Sequence, residues 1–193
     1  MCMLLLNLAI NCKYNNTVSN SSVQLVKANT TNIPLISELA NIIWHQHYKG
    51  VVSDEQIAYM LGEMYTHESL QKQMTEEAHD FYLINLNEKT IGFISVHEEN
   101  TKGHYYLQKY YLLQDLAAKG NGTLAFVELL KLIKPKYIKL TVNRQNFKSI
   151  NFYFKNGFKI ESVADFDIGN GFFMNDFVMS WHLDPSTSSG SGK

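Results

Sequence analysis

Two short stretches of this chain combine residue types that could do chemistry. The first is Ala117-Ala118-Lys119-Gly120-Asn121-Gly122-Thr123. Glycines at 120 and 122 let the backbone approach a ligand closely. A helix starting near Gly122 would turn its first N–H groups outward at the positive end of its dipole. Such a loop suits a phosphate or pyrophosphate, with Lys119 as a mobile positive charge. The same spacing also serves as an ordinary tight connection. It is not a P-loop, because G-x-x-x-x-G-K-[ST] is absent, and the third glycine of the dinucleotide fingerprint is missing. The second stretch is LTVNRQNFKSINFYFKNGF: a strand, Asn146, a helix carrying Ser149, Tyr153 and Lys155, then Gly157-Phe158. Tyr153 follows Asn146 by about two helical turns. By residue type alone, Asn146 is a helix N-cap, and Tyr153, between Phe152 and Phe154, is a core aromatic.

Charged groups that could move protons are scattered. Glu98 and Glu99 end a central strand and are the first carboxylates to consider as a general base; a solvated turn, HEENTKG, is the plainer explanation. His45 and His47 follow Trp44 and titrate near neutral pH, yet single histidines are as readily structural. Asp165, Asp167 and Asp176 lie in or beside the last two strands. With Glu98 and Glu99 they could form an acidic mouth, to which Trp44 and Tyr48 would add cation–π contacts. They also read as ordinary hairpin charges.

The elements that must position these residues alternate. Residues 23–27 form a strand. Asn32 caps a helix with Pro34 in its first turn, and Leu35, Ile36, Leu39, Ala40, Ile43 and Trp44 recur at helical spacing. Ser53-Asp54-Glu55 opens a second helix with Ile57, Met60, Leu61 and Met64 on one face. Residues 81–86 and 90–97 are strands joined by a polar turn, and 105–113 is a long aromatic strand. An amphipathic helix over 124–133 stops at Pro135. A strand over 137–142 precedes a helix over 147–156 closed by Gly157. Strands over 158–163 and 172–183 complete one mixed-sheet α/β domain without internal repeats.

Composition narrows the function. The chain has 193 residues, with 17 Lys+Arg against 18 Asp+Glu and a net charge of -1. That suits one domain and supplies no bulk charge for nucleic acid or an anionic membrane. No apolar run approaches the roughly 20 residues of a membrane span. Cys2 and Cys12 are confined to the N-terminus, and no Cys/His cluster has zinc spacing, so no metal is expected. Residues 1–22 read as a disordered leader without the basic start and cleavage site of a signal peptide, which makes the protein cytoplasmic. Residues 185–193 read as a flexible Ser/Gly tail or an expression remnant. The folded domain is then 23–184.

The second stretch, with the first, resembles the GCN5-related N-acetyltransferases (GNAT), whose signature pairs the loop [QR]-x-x-G-x-[GA] with N-x-x-[AS]-x-x-x-Y-x-[KR]-x-G-[FY]. The second half is complete: Asn146, Ser149, Tyr153, Lys155, Gly157, Phe158. In the first half Ala117 replaces the usual Gln or Arg, which implies a looser pyrophosphate grip. The resemblance implies an α/β GNAT fold, a single mixed twisted sheet of about seven strands flanked by about four helices, with two splayed parallel central strands. Acetyl-CoA would lie in the V between residues 105–113 and 137–142. Backbone at Tyr111 and Leu112 would bond its pantetheine amides, and Asn146 would bond the same arm from the other side. The pyrophosphate would rest on Ala118, Lys119, Gly120, Asn121, Gly122 and Thr123. Tyr153 would protonate the departing thiolate, and Glu98 is the first candidate base. The implied reaction is direct acetyl transfer from acetyl-CoA to a primary amine. IIWHQHYKGVVSDEQIAYML and GNGFFMNDFVMSWHL add a likeness to bacterial spermidine/spermine acetyltransferase-like members, which points to a polyamine or other small cationic amine held by Trp44, Tyr48 and Asp176. An acetyltransferase of protein N-termini or lysines, and a non-catalytic CoA-binding module, are the alternatives. The partners expected are a small-molecule amine and at most a second copy of the chain, with no nucleic acid and no membrane.

Overall fold

A computed structural model describes residues 22–184. The readings of a leader and a tail, and both cysteines, lie outside the described residues apart from Ser22. The chain runs β1 (Val23–Lys27), a 3₁₀ turn (Thr30–Asn32), α1 (Ile33–His47), α2 (Asp54–Met64), α3 (His67–Thr75), β2 (Asp80–Leu86), β3 (Lys89–Glu98) and β4 (His104–Leu112). A one-turn helix α4 (Gln114–Leu116) follows, then α5 (Gly122–Ile133), β5 (Tyr137–Asn143), α6 (Phe147–Lys155), β6 (Lys159–Gly169) and β7 (Phe172–His182). The strands form one sheet of seven in the order β1-β2-β3-β4-β5-β7-β6. Every neighbouring pair is antiparallel except β4–β5.

Local chemistry sets most boundaries. Ser53, Thr66 and Asn146 each accept a backbone N–H three residues on and cap α2, α3 and α6. Asn87 and Glu88 both have positive φ, the tight two-residue turn that matches strand twist. The start of α1 differs from the expected cap. Asn29, not Asn32, caps the 3₁₀ turn, and Asn32 completes a capping box by accepting the Asn29 N–H at 3.0 Å. Two helical pieces, α3 and α4, add to the four helices expected. In α3 only Leu70 is a fully buried apolar residue, so no apolar stripe announces it.

The sheet separates two cores. One packs Ala125, Phe126 and Leu129 of α5 and Ile150 and Tyr153 of α6 on β3, β4, β5 and β7. The other packs α1, α2 and Leu70 on Phe81, Leu83 and Phe93. Between them β4 and β5 pair only at His104↔Tyr137, Tyr105↔Ile138 and Tyr106↔Lys139. Beyond Tyr106 the two strands part. A bulge at Gln108, where Ser95↔Lys109 follows Val96↔Leu107, switches which residues of β4 face each core. Tyr105 and Leu107 face the α5 core before it, Tyr110 and Leu112 after it.

The same bulge turns Lys109 inward, where it is 4% exposed. Its Nζ donates to Gln73 Oε1 at 2.6 Å and lies over the Tyr65 and Phe81 rings. Burial pushes its pKa down to about 7. The unfolded chain therefore binds the proton more tightly, so the penalty is full below pH 7 and fades as pH rises toward 10. Lys109→Met is expected to raise stability by about 1–3 kcal/mol at pH 7 and to flatten the rise at higher pH. Denaturant melts at pH 7 and pH 9.5 would check this; a variant less stable at pH 7 contradicts it.

Candidate active site

The parting strands open a cleft. Its larger cavity, about 390 Å³, is walled by Tyr106, Leu107, Gln108, Tyr110 and Tyr111 of β4 and Thr141 to Asn143 of β5, with Trp44, His47, Tyr48, Asn146, Tyr153 and Asp176 around it. A narrower cavity of about 140 Å³ leads away between Leu112, Lys148, Phe152 and Gly122. His47, Tyr110, Ser149 and Tyr153 line both, which makes one passage from the start of α5 to Asp176. Among the described residues, β4 beyond Tyr106 has no strand partner on this side. Its backbone lies along the passage without a strand partner as far as Leu112, where one backbone group meets the His47 ring. The last side chains pack away: Tyr111 against Trp44, Tyr65 and Phe93, Leu112 into the α5 core.

At one end of the passage lies the glycine loop. Gly120 has φ 81, the left-handed region, and no atom lies within 4 Å of where a Cβ would stand. At Gly122 a Cβ would come within 3.1 Å of the Phe152 ring, so this glycine sets how close α5 lies to α6. Tyr110 Oη donates to the Gly122 carbonyl at 2.6 Å, tying the loop to β4. Asn121 is buried, and its Nδ2 donates to the Leu116 carbonyl at 2.8 Å. That internal brace ties the loop back to α4. Lys119 and Thr123 are exposed beside the loop, and the backbone of Ala118 runs through it. Lys148, which the sequence reading missed, adds a second cation on the passage wall. The loop is less open than the sequence suggests: Ala117–Asn121 form a π-helical turn, kinked at Lys119 and Gly120, that leads into α5. The kink and the two lysines beside it suit a pyrophosphate.

At the midpoint, Tyr153 is buried against Phe152 and Phe158. Burial pushes its pKa well up, with Tyr48 and Tyr106 adding to this, so the phenol stays protonated. Asn146 Oδ1 accepts the Ser149 N–H at 3.1 Å, and its amide reaches the Tyr48 hydroxyl on the cleft wall. His47 closes α1 at the same level. Burial, then the charge of Lys148, pushes its pKa down, against a backbone group of Leu112 that raises it, so it is neutral at pH 7. Its buried Nε2 has no hydrogen-bond partner.

At the far end, Asp176 is the carboxylate of the cleft. It is 4% exposed, and its Oδ1 has no hydrogen-bond partner. Burial pushes its pKa up to about 6, partly countered by the Thr141 hydroxyl and Arg144. Tyr106 Oη lies 3.2 Å from Thr141 Oγ1, extending that chain. Trp44 and Tyr48 stack at 4.4 Å beside it, both buried.

The other acids do not join Asp176. Glu98, the exposed last residue of β3, accepts the Gly103 N–H at 2.6 Å through Oε1, Glu99 follows it in the turn, and both lie outside both cavities. Asp165 pairs with Arg144, and Asp167 accepts the Gly169 N–H at 2.9 Å. His45 is exposed, its Nδ1 on the Asn41 carbonyl at 2.8 Å. The expected acidic mouth of five carboxylates is thus one buried carboxylate with aromatic and thioether neighbours. One cue was available: Asp176 shares a strand face with Phe172, Met174 and Val178, apolar residues on both sides of it.

Comparisons agree with this geometry. A family model described as acetyltransferase (GNAT) domain matches residues 48–169. The spermidine N(1)-acetyltransferase of Thermoplasma acidophilum is 29% identical over 153 residues, 76% of this chain and 94% of that protein. The crystal structure of the PaiA N-acetyltransferase from the same organism, in complex with coenzyme A, superposes with a TM-score of 0.69 at 27% identity, covering 84% of this chain and 99% of that one. A GCN5-related N-acetyltransferase from Rhodopseudomonas palustris reaches the same TM-score of 0.69 at 16% identity, with 84% and 97% covered, a likeness of fold. With the splayed strands, the glycine loop and the family match spanning most of the domain, the chain belongs to the GNAT acetyltransferases and is an acetyl-CoA-dependent N-acetyltransferase.

Proposed function

We propose that the acceptor is a small cationic amine, a polyamine first of all, and that Asp176 receives it. The observation that carries this is the unpartnered, buried Oδ1 of Asp176 on the cleft wall. A buried carboxylate oxygen left without a donor costs free energy unless a ligand supplies one, and an ammonium does so. The same cavity is lined by Met60, Met64, Ile168 and Met174, with Gln108 and Asn143 among its polar groups. The thioether and aliphatic groups suit the methylene spacer of an alkylamine. Trp44 and Tyr48 add aromatic faces for a second cation. The relative named a spermidine N(1)-acetyltransferase supports the same direction.

In this reading each residue has one task. Acetyl-CoA supplies an acyl thioester reactive enough for direct transfer. The edge of β4 at Tyr111 and Leu112 and the Asn146 amide hold the extended pantetheine arm, while Ala118 to Thr123 hold the pyrophosphate. Asp176 binds the arriving ammonium and takes up its proton, with neutral His47 a second acceptor on the opposite wall. A backbone N–H of β4 near Leu112 stabilises charge on the carbonyl oxygen. Tyr153 delivers a proton to the leaving sulfur.

The test is acetyl-CoA-dependent thiol release with spermidine, spermine, a simple monoamine, an aminoglycoside and an amino-terminal peptide. Spermidine or spermine is expected to give the highest kcat/KM. Turnover of the peptide with no turnover of polyamines would replace this reading with an N-terminal acetyltransferase.

A further inference from the structure

The β6–β7 hairpin outruns its neighbour. The β5–β7 ladder ends at Asn143↔Asp176, with one further bond from Arg144 N to the Asn175 carbonyl. Past that point the tip pairs only with itself, through Phe166↔Met174, Asp167↔Phe173 and Gly169↔Phe172. Its outer carbonyls would face water, yet two are capped from α2, more than a hundred residues earlier in the chain. Gln56 Nε2 donates to the Phe173 carbonyl at 3.0 Å and lies 3.6 Å from Met174 Sδ. Tyr59 Oη donates to the Ile168 carbonyl at 2.7 Å, and its ring lies 5.4 Å from Phe172. Gln56 is only 8% exposed, an unusual degree of burial for an amide on a surface helix.

This anchored tip contributes Phe166, Ile168 and Met174 to the cleft lining, and the α2 it packs against contributes Met60 and Met64. One helix thus both clamps the hairpin and supplies the neighbouring part of the lining. How far the tip's side chains reach into the cleft depends on the Gln56 and Tyr59 bonds, and Asp176 lies two residues beyond Met174 on the clamped strand. We infer that Gln56 and Tyr59 are positioning residues that set the width of the amine side of the cleft, and so which amines it accepts. The inference rests on this side of the cleft being the acceptor side, as proposed above, but not on the acceptor being a polyamine.

Tyr59→Phe removes one donor and keeps the ring; Gln56→Met keeps length and removes the other. The acceptor used is whichever amine the panel shows to be turned over, so failure of the polyamine reading leaves this test standing. Each variant is expected to raise the KM for that amine, by roughly tenfold in the double variant, and to narrow the preference between longer and shorter amines. The KM for acetyl-CoA should not change. Hydrogen exchange should quicken over residues 166–174 and stay unchanged over 110–123. A purely structural role would lower the melting temperature and leave both KM values and the amine preference unchanged, which overturns the inference. So would unaltered exchange at the tip, or equal changes in both KM values.

Discussion

Tyr153→Phe is expected to lower kcat by about 10²–10⁴-fold, with little change in affinity for acetyl-CoA. The substitution keeps the ring, which packs at 5.3 Å on both Phe152 and Phe158, and removes only the hydroxyl. Stability should therefore hardly move. Burial pushes the phenol pKa up, which by itself makes it a poorer acid. The same desolvation raises the pKa of a thiol formed beside it, so the gap between the two acids stays near the roughly 1.5 units found in water, and the phenol serves as a general acid while the C–S bond breaks. Because the phenol stays protonated throughout the working range, Tyr153 should add no inflection to the pH–rate profile. Pre-steady-state thiol release with a saturating amine separates this step from amine binding. Full kcat in the variant would show that the thiolate leaves unaided or that another donor serves.

What was readable in the sequence follows the range of the forces involved. The Asn146–Phe158 stretch was readable because its devices are local. A cap three residues from its donor, one helix, and a glycine at φ 90 after it all lie within one short segment. The two glycines of the loop were readable for the same reason. The bulge at Gln108 was not, because an extra residue in a strand shows only against its partner, here Ser95 and Val96 of β3. The acids misled for a related reason. Glu98, Asp165 and Asp176 look alike in sequence. One accepts a turn N–H, one pairs with Arg144 and one is buried in the cleft; that sorting depends on where β6 and β7 join the sheet. Likewise α3 is held by Leu70 and by Gln73, whose amide donates to the Met64 carbonyl at 2.9 Å and accepts from Lys109, contacts that no periodicity foretells.

Asp176→Asn should produce two opposite effects, and their combination is the strongest test of the site. The carboxyl pKa is pushed up to about 6 from an ordinary value of 3.8, chiefly by burial. The folded protein thus holds that proton more tightly than the unfolded chain does. The stability this contributes is present below pH 3.8 and lost as pH rises through 6, leaving an ionised, partly desolvated carboxylate that burdens the fold at neutral pH. Asparagine has nearly the same shape, can still accept from Thr141, and carries no charge. Asp176→Asn should therefore be more stable than wild type at pH 7.5, by about 1–3 kcal/mol, and the difference should shrink toward pH 4. Activity should move the other way. With no charge to hold the ammonium and no base to take its proton, kcat/KM should fall by about 10²–10⁴-fold. Wild-type kcat/KM should rise with pH through about 6 as Asp176 ionises, and the variant should lose that limb. Thermal melts at the two pH values, run beside the pH–rate profile, read both effects on one preparation. A residue kept for folding would not be expected to lose activity while gaining stability; one kept for chemistry at a cost in stability would. If the variant melts below wild type at pH 7.5 and keeps its kcat/KM, Asp176 is a structural carboxylate and the amine is received elsewhere in the cleft.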